Sequence, residues 1–391
     1  MGSRPLIGDG LALGDDLRSA AEHAVASALA PLGSTRPDLA FIFVSGGGPE
    51  ESAAALAHAS DLVGARNSVG CTAHGVIAAG HGVEGVCSVS VWVASLPSVS
   101  VRAFHLEVLR TPENIAVLGM PDRRDNDVVG VLLADPWSFP VDGFVDHSHD
   151  ALGGLRIVGG LASGATRAGD TRLLLDGRIH DRGAVGVVLG GDLSVHTLVS
   201  QGCRPIGRPM TVTRVNGETI LDLAGIPALE RAKDAISELP EDEQPLAVRG
   251  LQLGLAIDEY ADDHGQGDFL MRGIVSADHV SGSLSVGEVV EVGTTVQFLL
   301  RDAEAADEDL AAVLTAFRSR LGLEALAGAL LFSCNSRGRA MFPTPDHDVS
   351  AIRHVLGIEN VAGFFASGEI GPVGGRNHVH GSTATVLAFG S

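Results

Sequence analysis

Glu369 stands out among the ionisable residues of this chain. It sits alone among small and apolar neighbours in VAGFFASGEIGPVGGRNHVHGSTATVLAF (361–389). A carboxylate there can accept hydrogen bonds from a ligand's ammonium group or from an arginine. Arg337, in SCNSRGR, carries a planar fork suited to a carboxylate, either a ligand's or that of Glu369. Two opposite charges in a dry cleft suit a zwitterion; paired with each other, the same side chains would staple two strand ends. Cys334 ends an apolar run beside Asn335. A thiol at such an edge is a nucleophile only where a base or cation lowers its pKa, and otherwise behaves as a small hydrophobe. Phe364 and Phe365 point to opposite faces of a strand, so one belongs to the core and the other either lines a pocket or builds a second core layer. The candidate ligand contacts are therefore Cys334, Asn335, Arg337, Phe365, Gly368, Glu369 and Asn377, with Cys334 the one candidate nucleophile.

Other clusters carry less. His378-x-His380 can place two imidazoles on one face of an extended segment, and DHSHD (146–150) is similarly rich, but neither has a third ligand nearby. Both read as solvated faces, and no metal or cofactor is expected. GGLASG (159–164) lacks the spacing of a nucleophile elbow. SGGGPEES (45–52) lacks the Gly-Lys-Ser/Thr of a P-loop and the GxGxxG of a dinucleotide site, and it opens its helix with two glutamates.

The elements that position these residues recur. LAFIFV, VVGVLLAD and GALLFSC are continuous apolar runs of strand length, each followed by a helical pattern (50–63, 141–154, 347–357). Then come GCTAHG (70–75), GGLASG (159–164) and GFFASG (363–368), and after each an outer strand, CSVSVWV, GAVGVVL or STATVLAF. The spacing predicts a strand–helix–strand–strand module used three times. SVSVRAFHLE (98–107) reads as the antiparallel neighbour of 87–96, turned at Pro97, and residues 171–202 read as a β-meander. The two prolines of CRPIGRPM (203–210) suggest a domain boundary, and Asn216-Gly217 marks a hairpin. The fold class expected is α/β to α+β, two domains with mixed, largely antiparallel sheets covered by helices.

At 391 residues the chain exceeds one ordinary core, and 45% hydrophobic with 19% charged residues describes a packed protein. The formal net charge of −21 repels nucleic acid and anionic membrane surfaces. The four cysteines are widely separated, without a CxxC pair. No signal peptide and no apolar run of transmembrane length is visible, so a cytoplasmic location is expected.

GCTAHGVI, DGRIHDRGAVGVVLGGDLSVHTLVSQGCRPIG, GETILDLAGIPALE, LLFSCNSRGR and GFFASGEIGPVGGRNHVHGSTATVLAF together closely resemble the FIST family, named for F-box and intracellular signal transduction. The resemblance runs in order from about residue 35 to the C-terminus. It divides the chain into an N-terminal helix and lead-in (1–34), a FIST N-terminal domain (35–205) and a FIST C-terminal domain (206–391). It implies a sensory module for small ligands such as amino acids, which in bacteria stands alone or joins signalling domains and in eukaryotes can follow an F-box. No such attached domain is expected from these residues, so the expected partners are a small-molecule ligand and an unidentified signalling protein. The alternatives are a cysteine-dependent enzyme using Cys334, or an interaction scaffold docking through FFASGEIGP.

Overall fold

The three apolar runs become strands buried almost throughout: Leu39–Ser45, Asp127–Ala134 and Leu326–Cys334. The computed structural model describes residues 4–257, 259 and 269–391. Helices Pro49–Val63, Val141–Ala151 and His347–Leu356 come after the three strands. Each helix returns the chain to a strand parallel to the first: Asn67–Ala73, Arg156–Leu161 and Val361–Ala366. An antiparallel strand takes the other flank: Ser88–Ser95, Ala184–Gly191 and Thr383–Gly390. The module is present three times, and the fold is α+β with mixed sheets.

The first glycine of each Gly-x-x-x-x-Gly has one cause. Gly70, Gly159 and Gly363 stand opposite Ile42, Leu132 and Leu331 of the parallel neighbour. A Cβ on them would lie 2.0, 1.9 and 1.7 Å from the carbonyl oxygens of those residues. These glycines permit close approach of two backbones inside a strand pair.

After its second parallel strand, each module sends the chain out of its own sheet. Gly75–Ala78 pairs antiparallel with Val361–Ala366 of the third module. Leu173–Leu175 pairs with Asn67–Ala73 of the first, and Glu369–Val373 pairs with Arg156–Leu161 of the second. The first module donates to the third, the third to the second and the second to the first. This ring of exchanges breaks the expected meander: the Leu173–His180 hairpin joins the first sheet, while Ala184–Gly191 joins the second. The expected pairing of 98–107 with 87–96 is also replaced. Both edges of Ser88–Ser95 are taken, by Leu6–Leu13 and Leu39–Ser45. Val99–Arg110 instead pairs with Ala184–Gly191, the chain turning away at Ser98 with φ +65°.

The three sheets turn alternate residues inward to one core, which holds Phe41, Phe43, Trp92, Phe332, Phe364 and Phe389. Phe43 and Phe364 lie 4.9 Å apart between ring centroids, and Trp92 and Phe389 5.0 Å. Outward residues are roofed by helices. Leu17–Leu29 and Pro49–Val63 cover Ile42 and Val44. Val141–Ala151 covers Leu132 and Ala134. His347–Leu356 and the part of Ala303–Leu321 from Leu310 onward cover Leu331.

These modules form one compact unit, made of residues up to Val199, Leu310–Val379 and Thr383–Ser391. The other unit is Ser200–Asp309 with His380–Ser382, an antiparallel assembly in which Cys203–Asn216 and Leu251–Ala256 flank Thr295–Arg301. The compact units are therefore not consecutive segments divided at residue 205, because strand exchange binds the third module to the first two. No helix among the described residues is long and apolar enough to cross a membrane.

Gly363→Ala is expected to cost about 3 kcal/mol or more in urea unfolding, because a methyl group would enter a neighbouring peptide unit. Gly143→Ala, in a helix with open space around it, is the control and is expected to stabilise by about 0.5–1 kcal/mol.

Candidate functional site

The exchanges bring the carboxyl ends of the parallel strands together, the end at which open α/β sheets bind ligands. The three crossovers touch there. The Ser163 hydroxyl accepts from the His74 N–H at 2.8 Å and donates to the Phe365 carbonyl. The Ser367 N–H donates to the Leu161 carbonyl at 3.0 Å, and the Leu161 N–H to the Gly368 carbonyl at 2.8 Å. The Asn335 N–H, at the end of Leu326–Cys334, donates to the Ala366 carbonyl at 2.8 Å.

Beside this junction opens a cleft of about 720 Å³, lined by His74, Val83, Glu84, Val86, Asn335 and Arg339 among others. The Glu84 carboxylate, its side chain only 7% exposed, accepts from the backbone N–H of Arg339 at 2.8 Å and lies 4.0 Å from His74 Nε2. The Asn335 side-chain amide reaches Ser367 Oγ at 3.4 Å. Arg339 and His74 are exposed. The cleft thus has a nearly buried carboxylate and the exposed Arg339 among its lining residues, with an amide, an imidazole and apolar side chains.

Arg337 is fully buried, and its fork grips Asp348, with Nε 2.8 Å from Oδ2 and Nη2 2.9 Å from Oδ1. Ser333 Oγ donates to Asp348 Oδ2 at 2.7 Å, and His347 Nδ1 lies 2.9 Å from Oδ1. The guanidinium carbon sits 5.4 Å from the centroid of the Phe342 ring. Burial alone would raise the Asp348 pKa, but Arg337 and these hydrogen bonds hold it well below the usual carboxylate range. The staple expected between Arg337 and Glu369 therefore has Asp348 as its acid. Asp348 lies in the first turn of His347–Leu356, which places its carboxylate against the buried Arg337.

Glu369 is fully buried at the start of Glu369–Val373. Its Oε2 accepts from the Thr383 N–H at 3.1 Å and from Thr383 Oγ1 at 2.7 Å. Burial pushes its pKa up to about 8, against the opposing pull of Thr383, Cys334 and Arg337, so at neutral pH it is mostly the uncharged acid. Cys334 is 6% exposed, and its sulfur accepts from Ser336 Oγ at 3.1 Å. Phe365 is 1% exposed and packs with Ile77, Val349 and Ile352 under the helices, a second core layer. Gly368 presses against Leu161, where a Cβ would meet its side chain at 3.0 Å. Asn377 spends its amide on backbone: Oδ1 accepts from the Ile157 N–H at 2.9 Å, and Nδ2 donates to the Leu155 carbonyl at 2.8 Å. Of the seven residues picked from the sequence, Asn335 lines this cleft; the other six are buried, and Asn377 lies at the opposite, amino end of Arg156–Leu161.

The family comparison fits this arrangement. A family model described as the FIST N domain matches residues 38–226, and one described as the FIST C domain matches residues 228–372. The chain belongs to the FIST family. It is 43% identical over 391 residues to "Uncharacterized protein Rv0628c" of Mycobacterium tuberculosis, covering 98% of this chain and 99% of that one. It is 41% identical over 383 residues to "Uncharacterized protein Mb0898c" of Mycobacterium bovis, covering 98% of each. Within this FIST protein the cleft draws His74 and Glu84 from the FIST N match, and Asn335 and Arg339 from the FIST C match. His74 was visible as the residue that replaces serine in the first of the three glycine motifs. Glu84 and Asp348 carried no local signal, because only the exchange and the helix return place them.

The raised Glu369 pKa has a testable sign. The folded state keeps this proton between the ordinary carboxyl value of 4.5 and about 8, so its contribution is complete below 4.5 and is lost as pH rises through 8. Glu369→Gln is expected to lose less stability than the parent between about pH 5 and about pH 9 in urea unfolding series. Equal slopes for the two proteins would refute a buried neutral acid.

Proposed function

We propose that this protein is a small-ligand-binding sensor of signal transduction, and that its ligand is an amino acid or a similar small metabolite. The observation that carries this reading is the cleft at the joined carboxyl ends, where Glu84 and Arg339 offer opposite charges within one concave, partly apolar space. An ammonium group would face Glu84, a carboxylate would face Arg339, and Asn335 and His74 would supply the neutral hydrogen bonds. Arg337, Asp348 and Glu369 act beneath this surface as its support: the buried fork fixes the loop that presents Asn335 and Arg339. FIST domains are associated with signal transduction, and the output of this chain passes to a separate signalling protein.

A thermal-shift screen of amino acids and related metabolites tests the reading. A specific ligand at 100 times its Kd adds about 2.7 kcal/mol of stability. Arg339→Ala, at an exposed position, is expected to keep the fold and weaken that ligand about tenfold or more. If no compound moves the melting curve, or if Arg339→Ala binds as tightly as the parent, the reading fails.

A further inference from the structure

Away from the cleft, two histidines meet at the seam between two sheets. His105 lies on Val99–Arg110 of the second sheet, and His180 ends Arg178–His180, the outer strand of the hairpin donated to the first sheet. Their rings stack with centroids 3.8 Å apart and planes 29° from parallel. They form part of the wall of a cavity of about 680 Å³, with Glu50, Glu107, Arg172 and Asp181 around them. Stacked rings aim their nitrogen lone pairs along neighbouring planes, which do not converge on one metal ion.

The two rings are not equivalent. His105 Nε2 lies 3.2 Å from the Arg182 carbonyl and Nδ1 lies 3.7 Å from Glu107 Oε1, so a proton on either nitrogen faces an oxygen. His180 Nε2 is buried with no hydrogen-bond partner. Burial first, then His105 and Arg178, push the His180 pKa below the ordinary histidine value, while Glu107 and Asp181 oppose them. The remaining charges are engaged elsewhere: Arg182 with Asp181 at 3.1 Å, and Arg172 with Glu50 of the Pro49–Val63 helix at 3.2 Å. One proton on the pair therefore has acceptors ready on His105. A second has to sit on His180, face to face with the first charge, unless the rings part.

We infer that the His105–His180 stack is a proton-operated latch that holds the donated Leu173–His180 hairpin against the second sheet and releases it when both rings become charged. Release opens the seam along the wall of the cavity. The trigger lies below the ordinary histidine range, on the acidic side of neutrality. The latch stands independently of the ligand cleft.

Hydrogen exchange of the intact protein, corrected for intrinsic amide rates, tests it at about pH 7.5 and about pH 5. Protection over residues 173–180 is expected to fall about tenfold or more on acidification in the parent. In His180→Phe, which keeps a ring in the stack but takes no proton, it is expected to stay unchanged. Equal protection at both pH values in the parent, or the same loss in His180→Phe, would overturn the latch. A proton NMR titration of the parent guards against a misfolded variant. Two separated midpoints, with His180 the lower, support the latch, whereas one shared midpoint near the ordinary value of about 6.5 refutes it.

Discussion

Three peptide carbonyls, those of Ile42, Leu132 and Leu331, face glycine hydrogens at a distance no side chain tolerates. This close approach of paired parallel strands is the constraint on which the rest depends. It fixes each glycine motif at one register and draws each strand pair tight. The chain then leaves its own sheet at the crossover and completes the next one. Because the donation runs through all three modules and returns to the first, no parallel pair has a free flank at that side. The crossovers consequently meet: Ser163 bonds to both His74 and Phe365, and Leu161 to Ser367 and Gly368, although these residues come from three distant parts of the chain.

The buried charges arise from the same geometry. Leu326–Cys334 is a central strand covered on both faces, so the loop after it starts inside the protein. An arginine there needs a partner in reach; the helix His347–Leu356 supplies Asp348, and Phe342, before that helix, adds its ring. The second carboxyl group nearby, Glu369, keeps its proton because burial outweighs the pull of Thr383, Cys334 and the Asp348-paired Arg337. One ion pair and one neutral acid thus share a small dry volume.

Local pattern carried much of the fold. Continuous apolar runs marked the central strands, helical spacing marked the covering helices, and the recurring glycine frame marked the module. What stayed illegible was partner choice. Nothing in SVSVRAFHLE says that both edges of Ser88–Ser95 are already taken, one by a strand as remote as Leu6–Leu13. The same limit applied to the site. Cys334, Arg337 and Glu369 were recognisable as candidates because they stand at the loops that follow Leu326–Cys334 and Val361–Ala366, two paired parallel strands. Their burial was not recognisable, since it depends on helices and on a hairpin donated from the first module. Glu84 belongs to that hairpin, and nothing within HGVEGVC places it against Arg339.

The ring of donated strands also sets the order in which this protein can assemble. A ribosome delivers the first two modules with the receiving edges of Asn67–Ala73 and Arg156–Leu161 in different states. The former can be met at once by Leu173–Leu175, while the latter waits for Glu369–Val373, more than half a chain later. Until then the nascent protein carries an unpaired apolar strand edge, the kind of surface that recruits chaperones or other unfolded chains. Closure comes only once the third module has been made, so the second sheet stays incomplete until a segment far down the chain reaches it.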